Sequence, residues 1–457
     1  MQRTNARALR LTPAVGRGAL ALLTLTLLVL PRIGAAVPSF ARQTGMPCSQ
    51  CHVVSFGVAL TAYGREFKLH GYTYGGGEHP MPLAGMAQGG FTHTSEDLPE
   101  PAAPHFATND NLSLDQASVF LATRITSQIG MFAQGTYSGE DRHFSWDNID
   151  IRWARPVQNF FGTDAVVGIS VNNSPTVQDL WNSTPAWAYP FIGSGLAPGP
   201  SAAPVIADTL AQVAVGATAY TMIHDHLYLE AGAYRGLSDH WLGNVGLNPD
   251  NNIHMEGAAP YWRAAYQFTQ GEQQHYFSFG TFGLSAKLQP DPAVPQSDRF
   301  TDFGFDGVYQ YTPADGPGSV NVNAAVIHEQ QQLDATFAAG GSNNATNHLT
   351  SVTADLTYAW RQTYAASVGL FNTSGSTDPT YFGFGTSGTP DTRGYILMLE
   401  WVPFGKKDSW LQPWMNVRLG IQYTGYTRFD GGTSNYDGSG RSASDNNTLF
   451  LFYWLAF

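Results

Sequence analysis

From residue 83 onward one pattern keeps restarting: apolar and polar side chains alternate, residue by residue. Sixteen such segments run over 83–94, 113–127, 129–139, 143–155, 164–173, 210–222, 226–236, 259–270, 273–286, 299–312, 318–330, 346–360, 362–373, 392–404, 412–428 and 447–457. A period of two is that of a β-strand whose faces meet different surroundings. After residue 36 no window approaches 18 consecutive apolar residues, so no helix there can cross a bilayer. Only 13% of residues are charged, 13% are aromatic and 49 are glycine. Those values suit a large soluble β-protein or a membrane barrel, whose strands are only about half apolar because they alternate.

The connections separate the two. The odd-numbered ones are mostly long: 95–112, 174–209, 237–258, 287–298, 331–345, 374–391 and 429–446. The even-numbered ones are short, such as Asp225, Gly271-Glu272 and Arg361. One odd connection, 140–142, is short. Long extracellular loops alternating with short periplasmic turns, on an even number of strands, describe a bacterial outer-membrane barrel. A propeller or sandwich has no reason to keep this parity. The expected fold is therefore all-β, a transmembrane antiparallel β-barrel of about sixteen strands over 81–457.

In the last segment Leu449, Leu451, Tyr453, Leu455 and Phe457 alternate up to the terminal aromatic, resembling the signal read by the outer-membrane assembly machinery. Its other face, Phe450, Phe452, Trp454 and Ala456, is apolar too, unlike a polar lumen, and implies contact with a plug. Trp153, Trp262, Trp360, Trp401 and Tyr426, near strand ends, are candidates for the interface girdle or for loop packing.

Residues 1–36 hold five arginines and no acid, an apolar stretch Ala19–Leu30, then Pro31 and Gly34-Ala35-Ala36. This is the order of a secretory signal peptide, with cleavage expected after Ala36. The apolar stretch is shorter than the roughly 20 residues a spanning helix needs. Without the leader, 18 basic residues face 35 acidic ones, a net charge of −17. That excludes a nucleic-acid binder and favours cations as visitors.

The chemistry is concentrated at Cys48-Ser49-Gln50-Cys51-His52, which contains the only two cysteines of the chain. Cys-x-x-Cys-His is the attachment site of a c-type haem: two thiols add to the vinyl groups and the histidine becomes the proximal iron ligand. A thioredoxin-like dithiol would need a βαβ setting, and zinc would need further ligands at short spacing. Neither is present. Residues 37–80 thus read as a monohaem cytochrome module. Ser55–Leu69 reads as one helix with Phe56, Leu60, Tyr63 and Phe67 on one face, suited to a porphyrin or to the barrel wall, and ended by Gly71 and Gly75-Gly76-Gly77.

Phe40-Ala41-Arg42-Gln43-Thr44-Gly45, the haem motif, Ala62-Tyr63-Gly64-Arg65-Glu66-Phe67-Lys68 and Gly71-Tyr72-Thr73 resemble the N-terminus of the fused cytochrome–porins, outer-membrane monohaem c-type cytochromes that oxidise iron. The likeness covers residues 37–75 closely and the rest by architecture. It implies that electrons pass from ferrous iron at the cell surface to periplasmic carriers, and that Cys48, Cys51 and His52 hold the haem.

His70, His79, Met81 and Met86 are candidates for the second axial ligand. A straight helix of residues 55–69, roughly 22 Å long, would carry His70 away from His52. Met86 shares a strand face with Gln88, Gly90, Thr92 and Thr94, the polar and hence lumen-facing side. It reads as the distal ligand or as a space-filler under the plug. Met/His ligation raises a haem's potential. Arg42, Arg65 and Lys68 read as partners of the haem propionates or as surface charges. The loop aspartates Asp239, Asp250, Asp291, Asp378, Asp391, Asp430 and Asp437 offer hard oxygen ligands suited to ferrous iron, or solvate ordinary loops. Loop 174–209, with Trp181, Trp187, Tyr189 and Phe191, folds inward or caps the mouth. His224, His240, His254, His328 and His348 have no metal-ligand spacing, and no hydrolytic constellation is present.

Two functions follow. The first is an electron-transfer cytochrome of the ferrous iron:cytochrome c oxidoreductase type, taking electrons from Fe(II) or another extracellular donor through one haem c to a periplasmic cytochrome or other acceptor. The module would act as a plug or a periplasmic cap, because one cofactor cannot bridge a bilayer roughly 30 Å thick unless a lumen brings it close to both sides. The second is a porin-like channel in which the module is a plug or redox sensor, since sixteen strands enclose an aqueous bore. A third class, a haem-containing surface enzyme or adhesin acting on another donor, has no residue of its own in support.

Overall fold

The computed structural model describes residues 38–75, 81–160, 162–248, 254–291 and 295–457. The leader expected over 1–36 and the candidate ligand His79 lie outside the described residues.

Sixteen antiparallel strands close on themselves. They are β1 (Leu83–Thr94), β2 (Asn111–Arg124), β3 (Ile129–Ser138), β4 (His143–Phe160), β5 (Thr163–Asn172), β6 (Ala214–Ile223) and β7 (Leu227–Gly236). A two-residue β8 (His254–Met255) is appended to β10, and the wall continues with β9 (Ala259–Gln270), β10 (His275–Gln289), β11 (Asp298–Tyr311) and β12 (Gly318–Gln332). It ends with β13 (Thr346–Trp360), β14 (Tyr364–Gly375), β15 (Thr392–Trp401), β16 (Asn416–Arg428) and β17 (Thr448–Ala456). Each pairs with the next, and β1 closes against β17 from Met86↔Ala456 to Thr94↔Thr448. Closure leaves no free edge, the requirement for backbone polar groups in hydrocarbon.

All sixteen alternating segments are strands. On β11, Asp298, Phe300, Asp302 and Asp306 are buried on the inside, while Phe303 and Phe305 stand exposed on the outside. Leu229, Trp262, Phe279, Leu356, Leu399 and Leu451 continue that exposed apolar belt, the face lipid solvates. Trp360 and Trp401 share the outward face. Trp153 lies between inward Arg152 and Ala154 and donates Nε1 to Gln128 Oε1 at 3.1 Å. Tyr426 departs from the girdle reading. It is buried on the inner face, and its hydroxyl donates to Pro198 O. The long side of the loop parity holds apart from the turn before His143, whereas 402–415 is longer than the other connections at its end.

Two segments fill the bore. Residues 38–75 contain the helices α1 (Pro38–Thr44), α2 (Cys48–Cys51) and α3 (Ala62–Leu69). They lie at the short-connection mouth, where the wall holds their backbone. Gln362 Nε2 donates to Ser49 O at 3.0 Å, Asn416 Nδ2 to Ser55 O at 2.9 Å, Gln310 Nε2 to Leu60 O at 2.8 Å and Tyr220 Oη to Leu69 O at 2.8 Å. Loop 173–213 folds inward above them, burying Val177, Leu180, Trp181, Ile192, Leu196 and Val205. The wall residues Arg152, Arg263, Arg418, Tyr228, Tyr234 and Phe282 are almost fully buried. Lumen-facing side chains of an open aqueous bore would be wet, so these are covered by the two inner segments.

The helix expected over 55–69 forms only from Ala62. Ser55 has φ +61° and Gly57 φ +124°, values an α-helix excludes, and His52 pairs with Leu60 as an antiparallel bridge. Thr61 then caps α3, its hydroxyl accepting from Gly64 N at 3.2 Å. Residues 55–61 hold Gly57 and mostly weak helix formers, and their carbonyls are taken by wall side chains instead.

Candidate functional site

Between the two inner segments and the wall lies a cavity of about 530 Å³. Cys48, Cys51 and His52 border it from α2 and its C-cap. Phe40, Phe56, Phe67, Phe120, Phe132 and Trp187 supply much of its apolar surface. The first three belong to the N-terminal segment, the next two to the inner faces of β2 and β3, and Trp187 to the inward loop. Met86 borders the same space from β1, its sulfur accepting from Gln88 Nε2 at 3.4 Å. The chain thus brings Cys48, Cys51, His52 and Met86 together around one space.

Burial dominates the electrostatics of the motif residues. Both thiols are free. Burial pushes Cys48 up to about 11, and burial and then the Cys48 charge push Cys51 up to about 12. Burial, with the Arg418 charge second, pushes His52 down to about 4. Its imidazole is therefore neutral, the form that ligates a metal. His52 Nδ1 is buried with no hydrogen-bond partner among the described residues. Two free thiols, a neutral imidazole with an orphaned nitrogen, and a large apolar cavity fit a haem attached at Cys48 and Cys51.

The other candidate ligands lie elsewhere. His70 Nδ1 is 2.9 Å from Glu66 O and 3.6 Å from Glu66 Oε2, at the far end of α3. Met81 is exposed and presents its backbone carbonyl to Arg42. Neither borders the cavity.

Of the basic residues, Arg65 and Lys68 are buried rather than surface charges, whereas Arg42 is partly exposed. Arg65 Nη1 donates to Gln310 Oε1 at 2.8 Å and to Leu60 O at 2.9 Å, and its guanidinium stacks 3.7 Å over Tyr276. Lys68 borders the cavity, yet its Nζ donates to Val177 O at 2.9 Å, Asp179 O at 2.5 Å and Asn182 Oδ1 at 2.8 Å. Both fix the N-terminal segment in place. Arg42 Nη2 donates to Leu83 O at 2.6 Å.

The loop aspartates build loops. Asp378 accepts from Ser342 Oγ at 2.6 Å, Asn343 N at 2.9 Å, Asn347 Nδ2 at 3.0 Å and Tyr381 N at 3.1 Å. Asp391 accepts from Arg428, Asp430 from Ser201, and Asp437 from the backbone of Ser439 and Arg441. Asp250 lies outside the described residues. Among the described residues no three His, Cys, Asp or Glu side chains converge as metal ligands.

Sequence reasoning missed Phe120 and Phe132, and named Trp187 only as part of a loop that folds inward or caps the mouth. The signal was available for the first two: a phenylalanine on a strand face that otherwise carries Ser118 or Gln134 marks a dry patch in a polar lumen. The structure takes the inward alternative for that loop and sets Trp187 at the cavity.

Fold and site together define a sixteen-stranded membrane-spanning β-barrel whose bore is filled by its own N-terminal segment and one inward loop. No protein-family model and no curated relative matches the chain. Among solved structures it is similar to Salmonella typhi OmpF in complex with daunomycin, at 12% identity over 82% of this chain and 97% of that one, TM-score 0.47. It is similar to the outer membrane channel DcaP of Acinetobacter baumannii, at 11% identity over 82% and 96%, TM-score 0.42. A porin refined at 1.8 Å is 10% identical over 82% and 99%, TM-score 0.42.

Proposed function

We propose that this chain is an electron-transfer cytochrome of the bacterial outer membrane, with one haem c held in the lumen cavity. Electrons enter from Fe(II) or another reduced donor outside and leave to a periplasmic cytochrome or other acceptor. The single observation that carries this reading is the convergence of Cys48, Cys51, His52 and Met86 on one apolar cavity. When bound, the haem supplies one-electron chemistry at its iron. Cys48 and Cys51 would tether it, His52 would be the proximal ligand and Met86 the distal one. Methionine ligation would raise the potential. The wall residues Gln310, Asn416 and Arg418 hold the N-terminal segment by its carbonyls, which keeps His52 and Met86 in one space.

The test is anaerobic mixing of the detergent-purified protein with ferrous iron, followed by haem absorbance. Reduction that is lost in Cys51→Ser supports the reading. Protein with no Soret band after expression beside a haem-attachment system removes it, and a Soret band that ferrous iron leaves oxidised removes the iron donor.

The porin-like wall favours a second reading, a channel in which residues 38–75 are a plug or redox sensor. It is supported by the ties between segment and wall, which are hydrogen bonds rather than covalent links and hence releasable. Solute leakage from liposomes carrying the protein, together with no haem reduction, would favour it.

A further inference from the structure

We infer that the inner wall holds a second ligand site, for a divalent cation, formed by Asp302, Glu329 and Gln331 beneath the inward loop. Asp302 on β11 and Glu329 on β12 are direct partners in register. Both point into the lumen, 2% and 0% exposed. Each uses one oxygen to hold the loop: Asp302 Oδ2 accepts from Ile206 N at 2.9 Å, and Glu329 Oε2 accepts from Val205 N at 2.6 Å.

No arginine, lysine or histidine pairs with either carboxylate among the described residues, although other buried acids of the lumen, such as Asp150, Asp306 and Glu400, have an arginine. Two facing carboxylates out of water repel each other unless something neutralises them. Gln331, on the same face of β12, donates Nε2 to Glu329 Oε1 at 2.7 Å. That bond fixes the amide and leaves its Oε1 as an acceptor. Among the described residues Gln331 Oε1 is buried with no hydrogen-bond partner, and Asp302 Oδ1 has none unless a proton lies between it and the Glu329 carboxyl, which is within hydrogen-bond reach. Buried polar atoms are otherwise nearly always satisfied.

Two carboxylates and an amide carbonyl are hard oxygen donors, the set that Mg²⁺, Ca²⁺, Mn²⁺ and Fe²⁺ prefer. A divalent ion cancels the two charges and gives both oxygens a partner. A proton shared between the carboxyls, the competing occupant, leaves Gln331 Oε1 unmet. The site stands apart from the haem cavity, which none of the three residues borders.

The test titrates full-length protein in detergent with Mn²⁺ and counts free ion by electron paramagnetic resonance, a readout that needs no haem. The expected result is one ion bound per chain and displaced by anaerobic Fe²⁺ or by Ca²⁺. Gln331→Met, which keeps both carboxylates, should weaken it about tenfold, and Asp302→Asn with Glu329→Gln should abolish it. Wild-type protein that binds no ion, or binds it as tightly in Gln331→Met as in wild type, would overturn the site and leave the proton as occupant.

Discussion

Arg418 on β16 donates Nη1 to the backbone carbonyl of Phe56 at 3.0 Å, so a charged residue of the barrel wall grips the N-terminal segment beside the haem motif. The same guanidinium is ion-paired to Glu400 and is 2% exposed. Arg418→Met should strand Glu400 as an unpaired buried charge and cost about 3–5 kcal/mol. The expected outcome is a barrel that still forms but an N-terminal segment open to protease, read by cleavage within 53–61.

Gly57 is the counterpart on the segment. A Cβ there would lie 2.0 Å from Arg418 Nη1, and φ is +124°. Gly57→Ala should therefore produce the same protease sensitivity while leaving every wall residue intact. An unchanged cleavage pattern would show that the grip is dispensable.

Met86 is tested by ligation. In the haem-loaded protein, Met86→Leu should abolish the long-wavelength band of methionine-ligated ferric haem and lower the reduction potential, because methionine raises it. The Soret band should persist, since Cys48 and Cys51 remain. A variant with unchanged spectrum and potential would place the sixth ligand elsewhere.

Lys68 makes the inner packing pH-dependent. Burial, with the Arg152 charge second, pushes its ammonium from 10.5 down to about 7. The unfolded chain thus binds more protons between those values, and stability rises with pH across that window. Below about pH 7 both states are protonated and the charge penalty is constant. Lys68→Met should flatten the rise, read as denaturant midpoints measured across the window.

Asp378 pins loop 374–391 to loop 331–345. Its hydrogen bonds hold its carboxyl below the usual carboxylate range. Stability from it is present above the ordinary aspartate value near 4 and is lost as pH falls through the depressed one. Asp378→Ala should loosen both loops by about 3 kcal/mol, read as faster proteolysis of intact cells or proteoliposomes from the long-loop side.

The wall was legible because its signal is local. Each strand separates two surroundings, so the register of apolar residues shows in any ten residues, as in Phe303 and Phe305 against Asp302 and Asp306. Even Trp454 and Phe452, apolar on the face that should be polar, announced a filled bore, and Phe56 now packs 4.7 Å from Trp454. Cys48-x-x-Cys51-His52 was equally plain as a pattern, since covalent attachment of a haem would fix that spacing.

The filling of the bore was decided by tertiary structure. Ser55–Thr61 continues the apolar face of the helix that follows, yet its carbonyls answer to Arg418, Asn416 and Gln310, residues far away in sequence. Tyr426 sits at a strand end like a girdle aromatic, but the carbonyl of Pro198 on the inward loop gives its hydroxyl a buried partner. Met86 could be assigned to the lumen from alternation alone. That it meets the same cavity as His52 depends on how residues 38–75 dock, and docking is the sum of long-range contacts that no window of sequence contains.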